Sequence, residues 1–333
     1  MWTTKTALGV VLLLVGGAAL GWWLLRDDSV SHALPAPRDL AAVTRAITDA
    51  VPPAQRDADV PGVTVGVSKD GEVAWTRGFG VPEDQLLQVG SISKTVAAAA
   101  VLTLADEGIL DLDAPVSSYL RAWRLPAGFP DPDAVTLRRL LSHTAGIGTP
   151  GYRGRPAVRP LPTTAEALDG IRQSEEPGTY AYSGGGFTIA QEVVEEVTGE
   201  PFADVVQRTV LTPLRMTASG YACPGATLRY AEAAAAGLCA TAADLARFAG
   251  WLGSADPRAV QMRTPAAGTD GRYGLGTEIG DDGATVGHLG VNRGFHAELR
   301  VNPAAGVGLV VLTDGDRGGE VVAAVLGAWQ DAG

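Results

Sequence analysis

VGSISKT, residues Val89 to Thr95, stands at the head of an apolar helical pattern that runs from Ser93 to Glu107 and stops at Gly108. Three positions apart on such a helix, Ser91 and Lys94 share a face, so the lysine amine can reach the serine hydroxyl. A serine attacks at neutral pH only when a neighbour takes its proton. A lysine stripped of water at the positive end of a helix has the lowered pKa for that task. The same helix start offers backbone N–H groups to an oxyanion. A serine here is equally at home as a plain helix cap. The chain carries three lysines among its 26 basic residues, Lys5, Lys69 and Lys94. A lysine where the sequence otherwise writes arginine fits a group that must give up its proton, which arginine cannot do.

Two further segments carry chemistry. PGTYAYSGGGF, Pro177 to Phe187, sets Tyr182 and Ser183 beside three glycines just before a helix. A phenol between cations can shuttle a proton, and glycines admit a substrate close to the backbone; the bland reading is a Gly-rich turn with a packed aromatic. No Gly-Lys-Ser/Thr follows, so this is not a phosphate loop. VGHLGVNRGF, Val286 to Phe295, reads as an edge strand ending in glycines, able to pair with an extended substrate and to offer an oxyanion N–H.

Working outward, PRDLAAVTRAITDAV has helical spacing, and GVTVGVSKDGEVAWTRGFG alternates on both sides of Asp70-Gly71, a hairpin signal. GATVGHLG, GFHAELRVN and GVGLVVLTDG read as three strands near the other end, followed by a helix from about Gly319 to Trp329. Between them lie helical patterns at Arg138–Ser142, Thr164–Gln173, Gly186–Thr198 and Ala242–Leu252. The expectation is an α/β (α+β) fold, with a mainly antiparallel sheet and terminal helices built from residues 38–110 and 240–333. A helical lobe, residues 111–239, is inserted between them. The loop Gly148–Pro162, with three arginines, reads as a lid or anion contact, or as a solvated surface loop.

In that order, Ser91-Ile92-Ser93-Lys94, Tyr182-Ser183-Gly184 and His288-Leu289-Gly290 resemble the three motifs of the serine β-lactamase and penicillin-binding-protein superfamily. The resemblance is to its class C β-lactamase-related branch of D,D-peptidases, D-aminopeptidases and esterases. It extends through GILDLDAPVSSYL, LRRLLSHTAGI, EVVEEVTGEPF and TAADLARF, covering roughly Ala41 to Thr313. It implies a β-lactamase/transpeptidase-like fold and a serine hydrolase with Ser91 as acylated nucleophile, Lys94 as its activating partner and Tyr182 as proton shuttle or general base. It also implies that His288 and Gly290 lie on the substrate-binding strand, that the N–H groups of Ser91 and Val291 form an oxyanion hole, and that His143 and Ser183 are structural. Gly184 stands where the pattern has Asn, and Leu289 where it has Thr. Both departures point to an esterase or peptidase rather than a true β-lactamase, or to a silent member that binds cell-wall peptide or a protein partner. Arg293 is the candidate to replace the lost anion contact.

Ala7 to Leu25 is nineteen residues without a charge, reaching roughly 28 Å as a helix. Its length favours a retained membrane anchor, with Trp22 and Trp23 at the interface and residues 29–37 as linker. Ser31-His32-Ala33 allows a cleaved signal instead. Either reading exports the rest of the chain to an extracytoplasmic site, where Cys223 and Cys239 can form a disulfide or remain two thiols. A formal charge of −11 without a Lys/Arg run argues against nucleic acid. No Gly-x-Ser-x-Gly elbow is present, and the four histidines lack ligand-like spacing, so neither an α/β-hydrolase nor a metal or cofactor is expected; the partner is a small-molecule or peptide substrate.

Overall fold

Both ends of the chain feed one sheet. The computed structural model describes residues 33–127, 129, 131–149 and 151–333, all within one compact unit. Helix α1 (Leu40–Ala58) leads into β1 (Val63–Lys69), β2 (Glu72–Phe79), the short β3 (Leu87–Gln88) and α2 (Ile92–Asp106). The middle of the chain gives α3 (Leu137–Leu141), β4 (Arg155–Pro156), α4 (Thr164–Ala167), α5 (Gly184–Thr198), α6 (Phe202–Val206), β5 (Leu228–Arg229) and β6 (Cys239–Ala240). After α7 (Ala242–Leu252) and α8 (Pro257–Met262) come β7 (Glu278–Ile279), β8 (Val286–Asn292), β9 (Phe295–Asn302), β10 (Val307–Thr313) and α9 (Gly318–Ala332).

The main sheet has the order β2-β1-β10-β9-β8-β7, antiparallel throughout. Asp70 and Gly71 both take positive φ, 49° and 88°, the primed turn that matches strand twist, so the expected hairpin forms. β10 is buried along its whole length and β1 up to Lys69, which explains their unbroken apolar runs: strands covered on both faces need no polar alternation. Helix α7 packs on β1, β10 and β9, while α9, itself packed on α1, meets β9 and β10. Helix α2 is apolar on all sides, and twelve of its fifteen residues are buried. It lies against α5, α6, α8, β8 and a wide π-type turn, Ala233–Gly237, at the centre of the molecule.

Three local expectations change. Helix α1 continues past Val51 through Pro52 and Pro53, which remove two N–H donors from the helix. Buried Val51 and Ala58 hold the extension, as does the Gln55 amide, which donates to the Val60 and Phe79 carbonyls. Helix α4 ends at Ala167 rather than Gln173: a Thr163–Glu166 capping box starts it, and Gly170 at φ +86° turns the chain away. The stretch expected as a linker is docked at its described end. Leu34 is fully buried, its N–H donates to Thr285 Oγ1, its carbonyl accepts from Asn302 Nδ2, and Pro35 O accepts from Trp329 Nε1.

Cys223 and Cys239 are joined, with Cα atoms 5.8 Å apart. Closing a loop of 16 residues stabilises the fold by about 3 kcal/mol in the chain-entropy account. The apolar run Ala7–Leu25 lies outside the described residues, as do Ser31 and His32 of the candidate cleavage site. Among the described residues no helix is long and apolar enough to cross a membrane. A fully buried leucine at residue 34 sets a test: Leu34→Ala should cost about 2–5 kcal/mol in urea unfolding. A cost near zero would mean that this segment contributes nothing to the fold.

Candidate active site

Ser91 does not cap its helix. It sits at the N-cap position of α2 in an α-helical conformation (φ −68°, ψ −9°), and its side chain makes no capping bond. The hydroxyl is thereby left for Lys94, whose Nζ lies 2.9 Å from Ser91 Oγ and 2.8 Å from the Ala235 carbonyl. Lys94 is 2 % exposed. The Tyr182 and Phe187 rings close over the amine, with centroids 5.0 Å and 5.9 Å away. Burial is the main reason its pKa falls from 10.5 to about 7, and the Glu278 carboxylate opposes that fall. The Tyr182 hydroxyl is shut from solvent and hydrogen-bonded to Ser91. Its burial, only partly countered by the Ser91 bond, pushes this phenol well above its ordinary pKa.

Two glycines bring the end of β8 onto this helix start. A Cβ on Gly90 would stand 2.5 Å from the Val291 nitrogen, and one on Gly290 would stand 2.0 Å from the Val89 carbonyl and 3.3 Å from the Ser91 nitrogen. No side chain fits either place. The Ser91 and Val291 amides thus flank the same gap, and no described backbone carbonyl accepts the Ser91 N–H. The end of β8 is braced by Asn292, whose Nδ2 donates to Gln88 Oε1 (2.8 Å) and to the Ala236 carbonyl (3.1 Å).

Tyr182 is delivered by the segment before α5. The Ser183 hydroxyl accepts from the Gly186 N–H and donates to the Thr149 carbonyl, capping the helix and tying it to the arginine-containing loop. That loop is held in place: the Tyr152 hydroxyl meets Thr188 Oγ1 at 2.8 Å, and β4 pairs with β5. Its arginines Arg153, Arg155 and Arg159 are exposed. Arg293, on the turn after β8, is exposed too, forms no ion pair among the described residues, and its backbone N–H donates to the Tyr230 hydroxyl.

His288 lies on the expected strand, β8, with its side chain turned away from the edge. Its ring is 1 % exposed and turned inward, with Nε2 3.0 Å from the Tyr273 hydroxyl and Nδ1 2.6 Å from the Leu289 carbonyl. Both nitrogens are hydrogen-bonded within the protein. His143 is buried beside it, at 2 % exposed, and shares the Tyr273 hydroxyl at 3.2 Å. Tyr273 carried no signal of its own in the sequence. The glycines that follow it, Gly274 and Gly276, mark where backbone passes close to Met262 and to Ala98. Among the described residues no three His, Cys, Asp or Glu side chains are grouped to hold a metal ion.

An antiparallel sheet with a serine, a buried lysine and a tyrosine gathered at the start of its central helix places the molecule in the class of serine β-lactamase-like and transpeptidase-like proteins. The chain belongs to the beta-lactamase family, whose model matches residues 45–332. It is similar to penicillin-binding protein 4 of Amycolatopsis lactamdurans, 29 % identical over 319 residues, covering 77 % of this chain and 81 % of that one. It is similar also to esterase EstB of Burkholderia gladioli, 30 % identical over 217 residues, covering 58 % of this chain and 54 % of the esterase. The chain thus spans about half of the esterase's length. A crystal structure of a D-stereospecific amidohydrolase from Streptomyces sp. superposes with a TM-score of 0.66 at 24 % identity, over 85 % of this chain and 97 % of that one, a likeness of fold.

The lysine leaves a signature in stability. Between its folded pKa of about 7 and the ordinary 10.5, the unfolded chain holds a proton that the folded chain has released, so stability rises with pH across that window. Melting curves from pH 7 to about 9 should show this rise in the wild type and a flatter profile in Lys94→Met. Equal slopes would mean that the lysine is charged in the folded protein.

Proposed function

We propose that this chain is an exported serine hydrolase that cleaves an ester or amide through an acyl-enzyme on Ser91. The observation that carries the reading is the dry contact between Lys94 Nζ and Ser91 Oγ, 2.9 Å, with the amine's pKa lowered to about 7. The neutral amine is the base available near neutral pH, because burial holds the Tyr182 phenol well above its ordinary pKa and so keeps it protonated. Lys94 takes the Ser91 proton as Oγ bonds to the substrate carbonyl carbon. The Ser91 and Val291 N–H groups receive the oxyanion. The proton then passes from the lysine through the Tyr182 hydroxyl to the leaving alcohol or amine as its bond to carbon breaks. Water then attacks the acyl carbon and gives up a proton to Lys94, the bond from that carbon to Ser91 Oγ breaks, Oγ takes the proton back, and the acyl group leaves as its carboxylic acid.

Relatives that include an esterase and a penicillin-binding protein support an ester, a peptide or a D-amino-acid derivative as substrate. Gly184 and Leu289 remove two polar contacts suited to a β-lactam or a D-Ala-D-Ala carboxyl terminus, which favours esterase or peptidase action. The apolar run Ala7–Leu25 and the Cys223–Cys239 pair support an extracytoplasmic location, anchored by that run or released after cleavage. The membrane is then a partner through the N-terminal segment alone.

An active-serine phosphonate probe should label the wild type and leave Ser91→Ala unlabelled; label persisting in that variant would remove the nucleophile. Single Ser91→Ala and Lys94→Met changes should each cost on the order of 10³-fold or more in kcat/KM, and the double variant little beyond either. In the wild type, kcat/KM should rise through pH of about 7 as Lys94 loses its proton and level off above it. Arg293→Ala should raise KM for carboxylate-bearing substrates only; an equal loss on neutral esters would separate Arg293 from anion binding.

A further inference from the structure

The buried groups that the proposed reaction leaves unused form a continuous line. The Ser183 N–H donates to His143 Nδ1 (3.0 Å), His143 Nε2 meets the Tyr273 hydroxyl (3.2 Å), that hydroxyl meets His288 Nε2 (3.0 Å), and His288 Nδ1 meets the Leu289 carbonyl (2.6 Å). Its two ends fix every proton between them. A backbone N–H can only donate, so His143 Nδ1 is the bare nitrogen and Nε2 carries the proton. A carbonyl can only accept, so His288 Nδ1 carries a proton, and in the neutral ring Nε2 is then bare. Tyr273 then accepts from one ring and donates to the other. The two histidines are neutral and hold opposite tautomers.

We propose that His143, Tyr273 and His288 form a one-way hydrogen-bond chain whose work is positioning: it locks the Tyr182 segment to the oxyanion strand. This rests on the acyl-enzyme reading for its purpose, though not for its geometry. The anchor points flank the working groups. His143 accepts from Ala181 N–H through its carbonyl (2.8 Å) and from Ser183 N–H through its ring, gripping the chain on both sides of Tyr182. It does so from a left-handed backbone, φ +60°, a conformation uncommon for a residue other than glycine. At the far end, Leu289 directly precedes Gly290 and Val291. Tyr273 is 1 % exposed and crosses the space between, with ring centroids 4.7 Å from His143 and 6.0 Å from His288.

The chain does not tolerate an added proton. A charged His143 would turn an N–H toward the Ser183 N–H, and a charged His288 would turn one toward the Tyr273 hydroxyl that already points at it. Burial keeps His143 well below its ordinary pKa and His288 at about 4, against the pull of the Glu278 carboxylate, 4.0 Å from His288 Nδ1. The other charged groups facing these rings are Lys94 and Arg300, which act in the same direction as burial.

The test is ¹⁵N NMR of the histidine-labelled protein, beside kinetics of Tyr273→Phe. Expected in the wild type are two rings of opposite tautomer that do not titrate between pH 8 and about 5. Expected in Tyr273→Phe are a His288 that titrates nearer its ordinary range and a kcat lower by about 10- to 100-fold, with KM held within about threefold. Two rings of one tautomer, wild-type titration of either ring near pH 6.5, or a folded Tyr273→Phe with wild-type kcat would overturn the proposal. If that variant does not fold, the wild-type tautomers decide alone. They need no turnover, so a failure of Ser91 labelling, which sinks the acyl-enzyme reading, stays distinct from a failure of the chain.

Discussion

A primary amine kept out of water is the constraint on which the structure turns. An isolated ammonium in the interior costs several kcal/mol, and a lysine held there escapes most of that cost by giving up its proton. Lys94 can stay buried because α2 is a central helix with neighbours on every side, and because the Ala97–Ala100 run lets them come close. What covers the amine also does chemistry. The Phe187 and Tyr182 rings exclude water, and Ala235, on a π-type turn, supplies the one carbonyl the amine needs. The lowered pKa of Lys94, about 7, is therefore a consequence of packing. The surrounding elements have to be in place before the amine meets Ser91 Oγ out of water.

The same helix solves a problem for the sheet. β7 pairs with β8 only at Val286 and Gly287, leaving β8 from His288 onward as an edge. An exposed edge invites pairing with other chains. Here the Val89–Ser91 backbone lies against it, at a spacing that Gly90 and Gly290 permit and no larger residue would. Edge protection and the gap between the Ser91 and Val291 amides are one feature. The stretch of β8 that β7 leaves unpaired stands beside Ser91.

Legibility followed how local each feature is. The strands and α7 could be read because burial on one or two faces writes itself into residue order, and the Asp70-Gly71 turn because positive φ restricts the residue types that fit. Helix α1 beyond Val51 could not, since its extension rests on Gln55 reaching carbonyls of a later strand. Leu34 looked like linker because the groove that buries it is built from residues some 250 to 295 positions later. At the site, Ser91 and Lys94 were visible through their spacing and Tyr182 through its glycines. Tyr273 was invisible: a tyrosine that bridges two distant histidines has no local pattern. His288 was placed on the right strand, but which way its ring turns depends on Tyr273.

Gly184 bears on the lysine as well as on the substrate. Where the resembled motif has Asn, a carboxamide oxygen would offer the amine one more acceptor. A neutral amine has two N–H groups and one lone pair, and an ammonium has three N–H groups and none. In this site Ala235 O accepts one N–H, and the Ser91 hydroxyl can give its proton to the lone pair. Gly184 adds no side-chain acceptor to that pair. The ammonium form thus loses a hydrogen-bond partner that the neutral form does not require, which shifts the balance the same way as burial. Losing the carboxamide removes a polar contact suited to an amide substrate and keeps more of the lysine in its neutral form, so this site leans on the Ser91–Lys94 pair more than on polar contacts to the acyl group.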